Sequence, residues 1–408
     1  MGKKLLVISA RFWPEETQAN EIAKYFAGNG VKVDVLCGKP VYPDGKYYEG
    51  YSAFGQSRQM YGNITVYRAP EIKKQGAFQA RPLLNYVSFG ISSSFRLREL
   101  KNNQYDAVFI YQTSPVFLGR AGLKLAAKRR IRSVMYVEDL WPDAVYKEMD
   151  IRDPLLRKIF KAVSYRQYKK AGHLVTSSKE AERFLVREIA QTPGKVSYIA
   201  PFPGSAFIPA KKDDRIMQRF MGSFNLLYVG KVRSKEEFGL FIETAQRLIG
   251  MGLRDIIFII AGDGEGLDDL KKEIDRLGLY DNIFLEGKTA PEDLPGYFYA
   301  ADALICADMI DMSVSYRPPE QIINYLAAGK PIAAAAGGEG KEIIRKAGCG
   351  LTSEPEDADG FFDNIVKLYK TPKEELIRMG QKGSLYQLRH YNFETAMEEL
   401  EDIVFPDK

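Results

Sequence analysis

Short apolar runs alternate with longer amphipathic stretches along almost the whole chain, and this alternation predicts strands followed by helices. Repeated strand–helix units are typical of parallel β-sheets with helices packed on both faces. The apolar runs are residues 5–8, 33–36, 64–67, 107–111, 133–137 and 174–176, then 226–229, 256–261, 283–285, 303–305, 332–335 and a short run near Gly350. The sequence therefore predicts an α/β fold with two Rossmann-like, doubly wound domains.

The pattern is interrupted at Ala200-Pro201-Phe202-Pro203-Gly204, and the polar stretch 209–214 follows. Proline and glycine in this density indicate a linker. We expect an N-terminal domain over residues 1–203 and a C-terminal domain over residues 204–380. Residues 381–408 have a helical pattern, and we predict that this C-terminal helix crosses back to the first domain.

The composition is that of a soluble globular protein, with 45% apolar and 27% charged residues in 408. Cys37, Cys306 and Cys349 lie far apart in or beside apolar segments, which predicts core thiols in a reducing compartment. The two histidines, His173 and His390, lack metal-ligand spacing, so we expect no metal site and no cofactor. The first apolar run is too short for a signal peptide or a membrane span, which predicts a cytoplasmic protein.

Charge is distributed unevenly between the two halves. Residues 1–200 hold 33 Lys and Arg against 18 Asp and Glu, a net +15, whereas residues 201–408 hold 25 against 35, a net −10. This asymmetry predicts two domains with different partners. A basic surface attracts nucleic acid, anionic lipid or phosphorylated ligands, and charge alone does not choose among them.

Two segments of the first half are both basic and aromatic, residues 73–98 and residues 155–170. In the second segment an apolar helical stripe is flanked by cations, which favours peripheral binding to an anionic membrane surface. The alternative is that the stripe packs on the sheet like that of any other helix. Because these residues form no stacking groove, we expect no nucleic acid partner.

The segment from Arg317 to Pro331 combines a helix start, a helix stop and a buried strand. Proline in the first turn and Gly329 at the end define a helix whose free N–H groups point at the preceding polar loop. Such an end binds phosphate, which predicts half of a nucleotide-diphosphate site. The alternative is an ordinary loop–helix–strand unit. The candidate residues of the loop are Ser313, Ser315, Tyr316 and Arg317.

The second domain opens with a strand that ends in a glycine and three cations: Gly230, Lys231, Arg233 and Lys235. Cations at strand carboxyl ends can neutralise a departing diphosphate, although solvated surface lysines are the alternative. The turn containing Gly262 and Gly264 lacks the spacing of a dinucleotide fingerprint, so we expect it to pass along a nucleotide edge. Gly287 and Lys288, after the next predicted strand, complete the predicted donor side.

In the first half, a polar loop follows strand one and supplies candidate acceptor residues: Glu15, Thr17, Gln18 and Asn20. Glu15 and Glu16 alternatively favour the following helix start. Asp139 and Trp141 follow a later strand, where a carboxylate can act as a base and an indole can stack on a sugar. Capping by Asp139 or Asp143 is the alternative. Asp357-Ala358-Asp359 resembles a metal motif, but its position predicts a helix cap.

The chain resembles the family 4 retaining glycosyltransferases of the GT-B fold, in the branch that builds bacterial capsule, O-antigen and colanic-acid-type polysaccharides. The resemblance extends over nearly the whole chain. The motifs that carry it are Phe12-Trp13-Pro14-Glu15, Pro40-Val41-Tyr42-Pro43-Asp44-Gly45-Lys46 with Glu49-Gly50-Tyr51, Asp139-Leu140-Trp141-Pro142, Val229-Gly230-Lys231, Gly262-Asp263-Gly264 and Tyr325-Leu326-Ala327-Ala328-Gly329-Lys330-Pro331.

The resemblance implies a nucleotide-sugar donor, most often UDP-linked, on the C-terminal domain, facing an acceptor on the N-terminal domain across a cleft. In this branch the acceptor is commonly a saccharide on a polyprenyl diphosphate at the inner face of the cell membrane. The two glutamates of the family's C-terminal motif correspond to Tyr316 and Asn324, and Glu320 lies one helical turn before Asn324. Gln18 and Asn20 stand where many members have glycines.

These observations together predict a metal-independent, retaining hexosyltransferase. We expect it to transfer a sugar, such as an N-acetylated amino or deoxy sugar, from a UDP donor to a lipid-linked oligosaccharide. The lost glutamates leave an alternative, a non-catalytic GT-B subunit that binds a nucleotide or a partner enzyme.

Overall fold

The chain forms two compact units in the computed structural model: Met1–Ala200 with Glu394–Lys408, and Pro201–Phe393. The structure describes residues 2–41, 46–53, 55–72, 81–100, 102–114, 116–142, 146, 151–190, 193–209, 212–232, 238–307 and 319–406. Each unit contains one β-sheet covered by helices, which confirms the predicted architecture of two parallel-sheet α/β domains.

The sheet of the first unit has the strand order β3-β4-β2-β1-β5-β6-β7-β8. All neighbours are parallel except the β3–β4 hairpin. Its strands are β1 (Lys4–Ser9), β2 (Lys32–Cys37), β3 (Arg58–Tyr61), β4 (Ile64–Arg68), β5 (Ala107–Gln112), β6 (Arg132–Val137), β7 (His173–Thr176) and β8 (Val196–Tyr198). Its helices are α1 (Gln18–Gly28), α2 (Arg81–Glu99), α3 (Arg120–Arg129), α4 (Pro154–Lys170) and α5 (Lys179–Leu185).

The sheet of the second unit has the order β11-β10-β9-β12-β13-β14, and every pairing is parallel. Its strands are β9 (Phe224–Val229), β10 (Ile256–Ala261), β11 (Ile283–Gly287), β12 (Ala303–Ala307), β13 (Ile332–Ala335) and β14 (Gly350–Ser353). Its helices are α6 (Asp214–Arg219), α7 (Gly239–Gly250), α8 (Leu267–Leu277), α9 (Leu294–Ala300), α10 (Glu320–Ala328), α11 (Gly338–Ala347), α12 (Ala358–Lys370) and α13 (Lys373–His390).

All twelve predicted apolar runs are strands, and among the described residues the pattern missed two strands, β3 and β8. β3 alternates between exposed and half-buried residues, and β8 has three residues, so neither has a buried apolar run. The central strands read as continuous apolar runs because helices cover both faces of the sheet. In β5 all six residues are buried.

The C-terminal segment differs from the single helix that we predicted. Helix α13 ends at His390, where the Gln387 side-chain amide donates to the Tyr391 carbonyl at 2.8 Å. A second helix, α14 (Phe393–Val404), then begins, and residues from Glu394 belong to the first unit. There Phe405 contacts the Phe26 ring edge-on at 6.0 Å.

Two smaller predictions, on the cysteines and on Asp357, are also confirmed. The three cysteines are buried free thiols, and burial raises the pKa of the Cys37 and Cys349 thiols to about 12. The Asp357 carboxylate caps α12 by accepting from the Gly360 N–H at 2.9 Å. Within the ranges given above, none of the helices is long and apolar enough to span a lipid bilayer.

Each sheet has one point at which the strand order reverses, between β1 and β5 in the first unit and between β9 and β12 in the second. Open α/β sheets bind ligands at the carboxyl ends of the strands that flank this point. The loops after these strands are therefore where functional residues are expected.

Candidate active site

Helix α10 of the second unit is attached to the end of β9 by two of its own side chains. The Tyr325 hydroxyl accepts from the Val229 N–H at 2.8 Å and lies 3.2 Å from the Ile305 carbonyl. The Gln321 amide donates to the Val229 carbonyl and to the Tyr325 hydroxyl, both at 3.1 Å. Burial raises the pKa of Tyr325 well above its usual value, so this hydroxyl stays protonated. The start of α10 is thereby fixed beside the reversal point between β9 and β12.

The predicted end of this helix is confirmed: its last residue is Ala328, and Gly329 caps it with a φ of 67°, the left-handed conformation that suits a C-terminal cap. The start differs from the prediction, because the helix begins at Glu320 and buried Pro319 precedes it instead of lying in its first turn. The N–H groups of the first turn have no acceptor within the helix, which gives this end partial positive charge. The predicted loop residues Ser313, Ser315, Tyr316 and Arg317 lie outside the described residues.

The turns after β9 and β10 run side by side with direct backbone contact. The Gly230 and Val232 N–H groups donate to the carbonyls of Ala261 and Asp263 at 3.2 and 3.1 Å. A Cβ on Gly262 would lie 1.8 Å from the Gly230 carbonyl oxygen, and one on Gly264 would lie 2.1 Å from that of Val232. We expected these glycines to pass along a nucleotide; the neighbour that requires them is the chain itself.

The other predicted donor residues are distributed around this edge of the second sheet. Lys231 and Lys288 are exposed, and Gly287 ends β11 with a φ of 66°. Glu320 is exposed at the first position of α10. Asn324 is half-buried, and its side-chain oxygen accepts from the Gly204 N–H at 3.0 Å. Arg233 and Lys235 lie outside the described residues.

In the first unit, the loop after β1 is folded around two buried polar side chains. The Glu15 carboxylate, 3% exposed, accepts from the Val41 N–H at 2.7 Å. Asn20 donates to the Glu15 carbonyl at 2.8 Å and accepts from the Trp13 N–H at 3.1 Å. Glu15 and Asn20, both predicted to bind the acceptor, therefore contact the chain itself and give this loop its shape.

Thr17 and Gln18 are the half-buried members of the same predicted set. Thr17 precedes α1, and its hydroxyl lies 3.2 Å from the Asn20 side-chain oxygen. The Gln18 side-chain oxygen is 3.5 Å from the hydroxyl of Tyr111, which is near the end of β5. Gln18 and Tyr111 thus lie across the reversal point of the first sheet, where an acceptor is expected.

Asp139 and Trp141 lie in the loop after β6 and are held by Ser114. Asp139 Oδ2 accepts from the Ser114 N–H at 2.7 Å, and the Trp141 indole N–H donates to the Ser114 hydroxyl at 3.0 Å. The Ser114 contact of Asp139 reaches a neighbouring loop and is not the helix cap that we considered. Trp141 is fully buried between Phe117 and Phe160, with ring centroids 5.9 and 6.1 Å away. Its faces are covered by protein, which differs from the open stacking surface that we predicted.

Several residues that hold these loops were not found from the sequence. Gln112 donates to the Asp139 carbonyl at 3.1 Å, and the Tyr168 hydroxyl accepts from the Trp141 N–H at 2.8 Å. In the second unit, Gln321 and Tyr325 lie in the segment from Arg317 to Pro331, but the sequence assigned them no role. Their one-turn spacing on α10 was the available signal.

Over the part of the chain that the structure describes, no three His, Cys, Asp or Glu side chains are close enough together to hold a metal ion.

Two protein-family models match the chain, one on each domain. Residues 16–202 match "Glycosyltransferase Family 4" and residues 210–385 match "Glycosyl transferases group 1". The chain therefore carries both domains of the GT-B glycosyltransferases of group 1 and family 4.

Similar proteins include two from Escherichia coli. The chain is 24% identical to "Putative colanic acid biosynthesis glycosyl transferase WcaI" of strain K12, over 92% of this chain and 94% of that protein. It is 22% identical to "UDP-Gal:alpha-D-GlcNAc-diphosphoundecaprenol alpha-1,3-galactosyltransferase", over 66% of this chain and 67% of that protein. The fold is similar to that of Anabaena HepE solved in complex with UDP-glucose, with a TM-score of 0.66, 12% identity and 98% of each chain covered. The protein is accordingly a glycosyltransferase with homology to enzymes of colanic acid and lipid-linked saccharide synthesis.

Proposed function

We propose that this glycosyltransferase moves a sugar from a UDP-sugar to a saccharide on a polyprenyl diphosphate, in the synthesis of a bacterial surface polysaccharide such as a capsule. The observation that carries the proposal is the attachment of α10 to the end of β9 by Gln321 and Tyr325, which holds a helix N-terminus at the reversal point of the second sheet. Backbone N–H groups fixed in this way suit the diphosphate of a nucleotide sugar.

The donor site in this proposal combines α10 with the turn after β9. Lys231, Arg233 and Lys235 supply cations, Gly230 allows close approach, and Glu320 or Asn324 accepts from the ribose hydroxyls. The remaining proposed donor residues are Gly262, Gly264, Gly287, Lys288, Ser313, Ser315, Tyr316 and Arg317. A uracil base is supported by the UDP-glucose bound to HepE and by the UDP-Gal in the name of the second relative.

The acceptor site in this proposal lies at the reversal point of the first sheet. Thr17 and Gln18 contact the acceptor sugar, because both are half-buried at the start of α1 and Gln18 lies beside Tyr111. Glu15 and Asn20 keep the loop in shape, and the Ser114 contact holds the Asp139 carboxylate nearby. A lipid-linked acceptor is supported by the diphosphoundecaprenol in the name of the second relative.

We further propose that transfer retains the anomeric configuration and requires no metal, as the family resemblance implies. Cations and helix N–H groups stabilise the negative charge that develops on the leaving UDP. An oxygen of that diphosphate accepts the proton of the attacking acceptor hydroxyl while the new glycosidic bond forms on the same face. The sugar transferred is an N-acetylated amino sugar or a deoxy sugar.

The test measures release of the nucleoside diphosphate by the purified chain, with a panel of UDP-, GDP- and dTDP-sugars as donors and GlcNAc-diphosphoundecaprenol as acceptor. We expect release with UDP-sugars alone, and an α-linked product by NMR from an α-linked donor. Stabilisation by UDP in a thermal-shift assay without any transfer across the panel would favour the non-catalytic subunit. Stabilisation by GDP or dTDP but not UDP would overturn the choice of base.

A peripheral membrane location, on the inner face of the cell membrane, is part of the proposal. On α4, Leu155, Leu156 and Ile159 are 66%, 46% and 49% exposed, whereas Phe160 packs inward on Trp141. On α2, Phe95 is 58% exposed. Both helices pack against the short 3-10 helix Val116–Gly119, so they belong to the same part of the first unit. Residues 73–80 of the predicted basic segment lie outside the described residues.

Exposed cations beside those apolar side chains suit anionic lipid. Reversing Arg157, Lys158 and Lys161 to Glu should release the protein from vesicles containing phosphatidylglycerol, since each cation contributes on the order of 1 kcal/mol. The control reverses Lys271, Lys346 and Lys367, three exposed cations of the second unit, and should stay bound. Equal binding of both variants would argue against this membrane surface.

A further inference from the structure

Arg68 is a completely buried cation that has no part in the proposed function so far. It is the last residue of β4, and its side chain is 0% exposed. Burying a guanidinium is costly unless its donors are satisfied. Its surroundings therefore indicate what the cation stabilises.

The guanidinium joins three separate segments of the first unit. Its Nε donates to the Gln59 side-chain oxygen of β3 at 2.7 Å. Nη1 donates to the Gly38 carbonyl at 3.2 Å and lies 3.4 Å from Cys37 Sγ at the end of β2. Nη2 donates to the Trp13 carbonyl in the loop after β1. All four acceptors are neutral, so the charge strengthens these hydrogen bonds without forming an ion pair through them.

Trp13 is fixed from two other sides as well. Its N–H donates to Asn20 at 3.1 Å, and its ring stacks on Tyr61 with centroids 5.0 Å apart. Arg68 supplies the bond to its carbonyl. The loop that leads to Thr17 and Gln18 is therefore anchored at Trp13, and removing the guanidinium frees one end of that anchor.

We propose that Arg68 is a positioning residue for the acceptor: it holds the loop of residues 11–17 through the Trp13 carbonyl and so fixes where Thr17 and Gln18 lie. The inference rests on the proposed function, because it assumes that the acceptor binds at this loop. It predicts a defect that is specific to the acceptor. The donor site belongs to the other compact unit, so its affinity should not change.

The experiment compares Arg68→Met, Arg68→Lys and the control Arg58→Met, which removes an exposed cation at the start of β3. Arg68→Met should raise the acceptor KM roughly tenfold to a hundredfold, since small misplacements of positioning groups have effects of this size. The donor KM and UDP affinity should stay at the wild-type values. Arg68→Lys keeps the charge but has fewer donors, so we expect an intermediate acceptor KM. The control should match wild type.

A second readout does not depend on transfer. The chain has two tryptophans, of which Trp141 is fully buried and Trp13 half-buried. Acrylamide should therefore quench the fluorescence of Trp13 selectively. We expect the quenching constant to be at least about twofold higher in Arg68→Met than in wild type, because the freed loop opens more often. Should Arg68→Met fail to fold, Arg68→Lys carries both readouts.

The outcomes separate this inference from the proposed function. A folded Arg68 variant with unchanged acceptor KM and unchanged quenching overturns the inference, as does an equal rise of both KM values. Absence of transfer by the wild-type enzyme would contradict the proposed function instead. In that case the quenching comparison still decides whether Arg68 holds the loop, and unchanged quenching would overturn that role.

Discussion

The two domains have similar sheets, but the loops of the first domain and the turns after β9 and β10 of the second are fixed by different means. In the first domain, buried polar side chains hold the loops at the carboxyl edge: Glu15, Asn20, Arg68, Gln112 and Asp139. In the second domain, the turns after β9 and β10 are joined backbone to backbone, and Gly262 and Gly264 leave room for that contact. The loops of the first domain depend on particular side chains, whereas the turns after β9 and β10 depend on the absence of side chains at Gly262 and Gly264.

This difference determines which substitutions each domain tolerates. Truncating a buried hydrogen-bonded side chain leaves its partner unsatisfied, which harms the first domain. Adding a methyl group at a backbone crossing forces the two turns apart, which harms the second. The predictions below test this contrast, from the largest expected effect to the smallest.

Gly262→Ala should be the most damaging of the three changes. Its Cβ would lie 1.8 Å from the Gly230 carbonyl oxygen, a backbone atom that cannot move alone. We expect a loss of about 3 kcal/mol in the free energy of unfolding, the upper end for overpacking, measured in urea. UDP affinity should fall with it.

The control for this prediction is Gly239→Ala, at the start of α7. A Cβ there meets no atom within 4 Å, so we expect a change within about 0.5 kcal/mol. If the two variants were equally stable, the claim that the turns after β9 and β10 require glycine would be contradicted.

Asp139→Ala should have an intermediate effect. It deprives the Ser114 N–H of its acceptor at 2.7 Å, and an unsatisfied buried donor costs about 1–3 kcal/mol. Asp139→Asn keeps an acceptor oxygen of the same shape and should unfold at nearly the wild-type urea concentration.

The pair also separates stability from chemistry. If the carboxylate touches the acceptor, Asp139→Asn loses turnover while its stability stays close to that of wild type. If Asp139→Ala were as stable as wild type, the claim that buried polar side chains hold the loops of the first domain would be contradicted.

Asn324→Glu should have the smallest effect. A carboxylate can still accept from the Gly204 N–H, and its second oxygen can accept from a ribose hydroxyl. We expect UDP affinity by calorimetry to stay the same or to increase by up to about tenfold, which corresponds to roughly 1.4 kcal/mol. Complete loss of UDP binding by a folded variant would show that α10 serves another ligand.

The architecture could be predicted from the sequence because helices on both faces make the core strands continuously apolar. Residues 256–261 and 332–335 were predicted at their observed bounds. The strand β3 could not be found in this way, since its stability comes from pairing with β4 and not from a buried face of its own. The short strand β8 likewise depends on its neighbour β7.

The site was harder to predict because its contacts join distant residues. Arg68 and Trp13 are 55 positions apart, and Tyr325 and Val229 are 96 apart. Sequence patterns identify a polar residue near a strand end but not whether the chain itself uses its polar atoms. Glu15 and Asn20 were therefore assigned to a ligand, whereas their hydrogen bonds go to neighbouring backbone.

The division of the chain into Met1–Ala200 with Glu394–Lys408, and Pro201–Phe393, makes the second domain an insertion into the first. Recombining such enzymes by exchanging domains therefore requires two junctions, after Ala200 and after Phe393. A chimera joined only at Ala200 would inherit residues 394–408 from the wrong parent. The Phe405 ring, which packs against Phe26, would then meet a foreign surface. The last fifteen residues should be inherited together with the first two hundred.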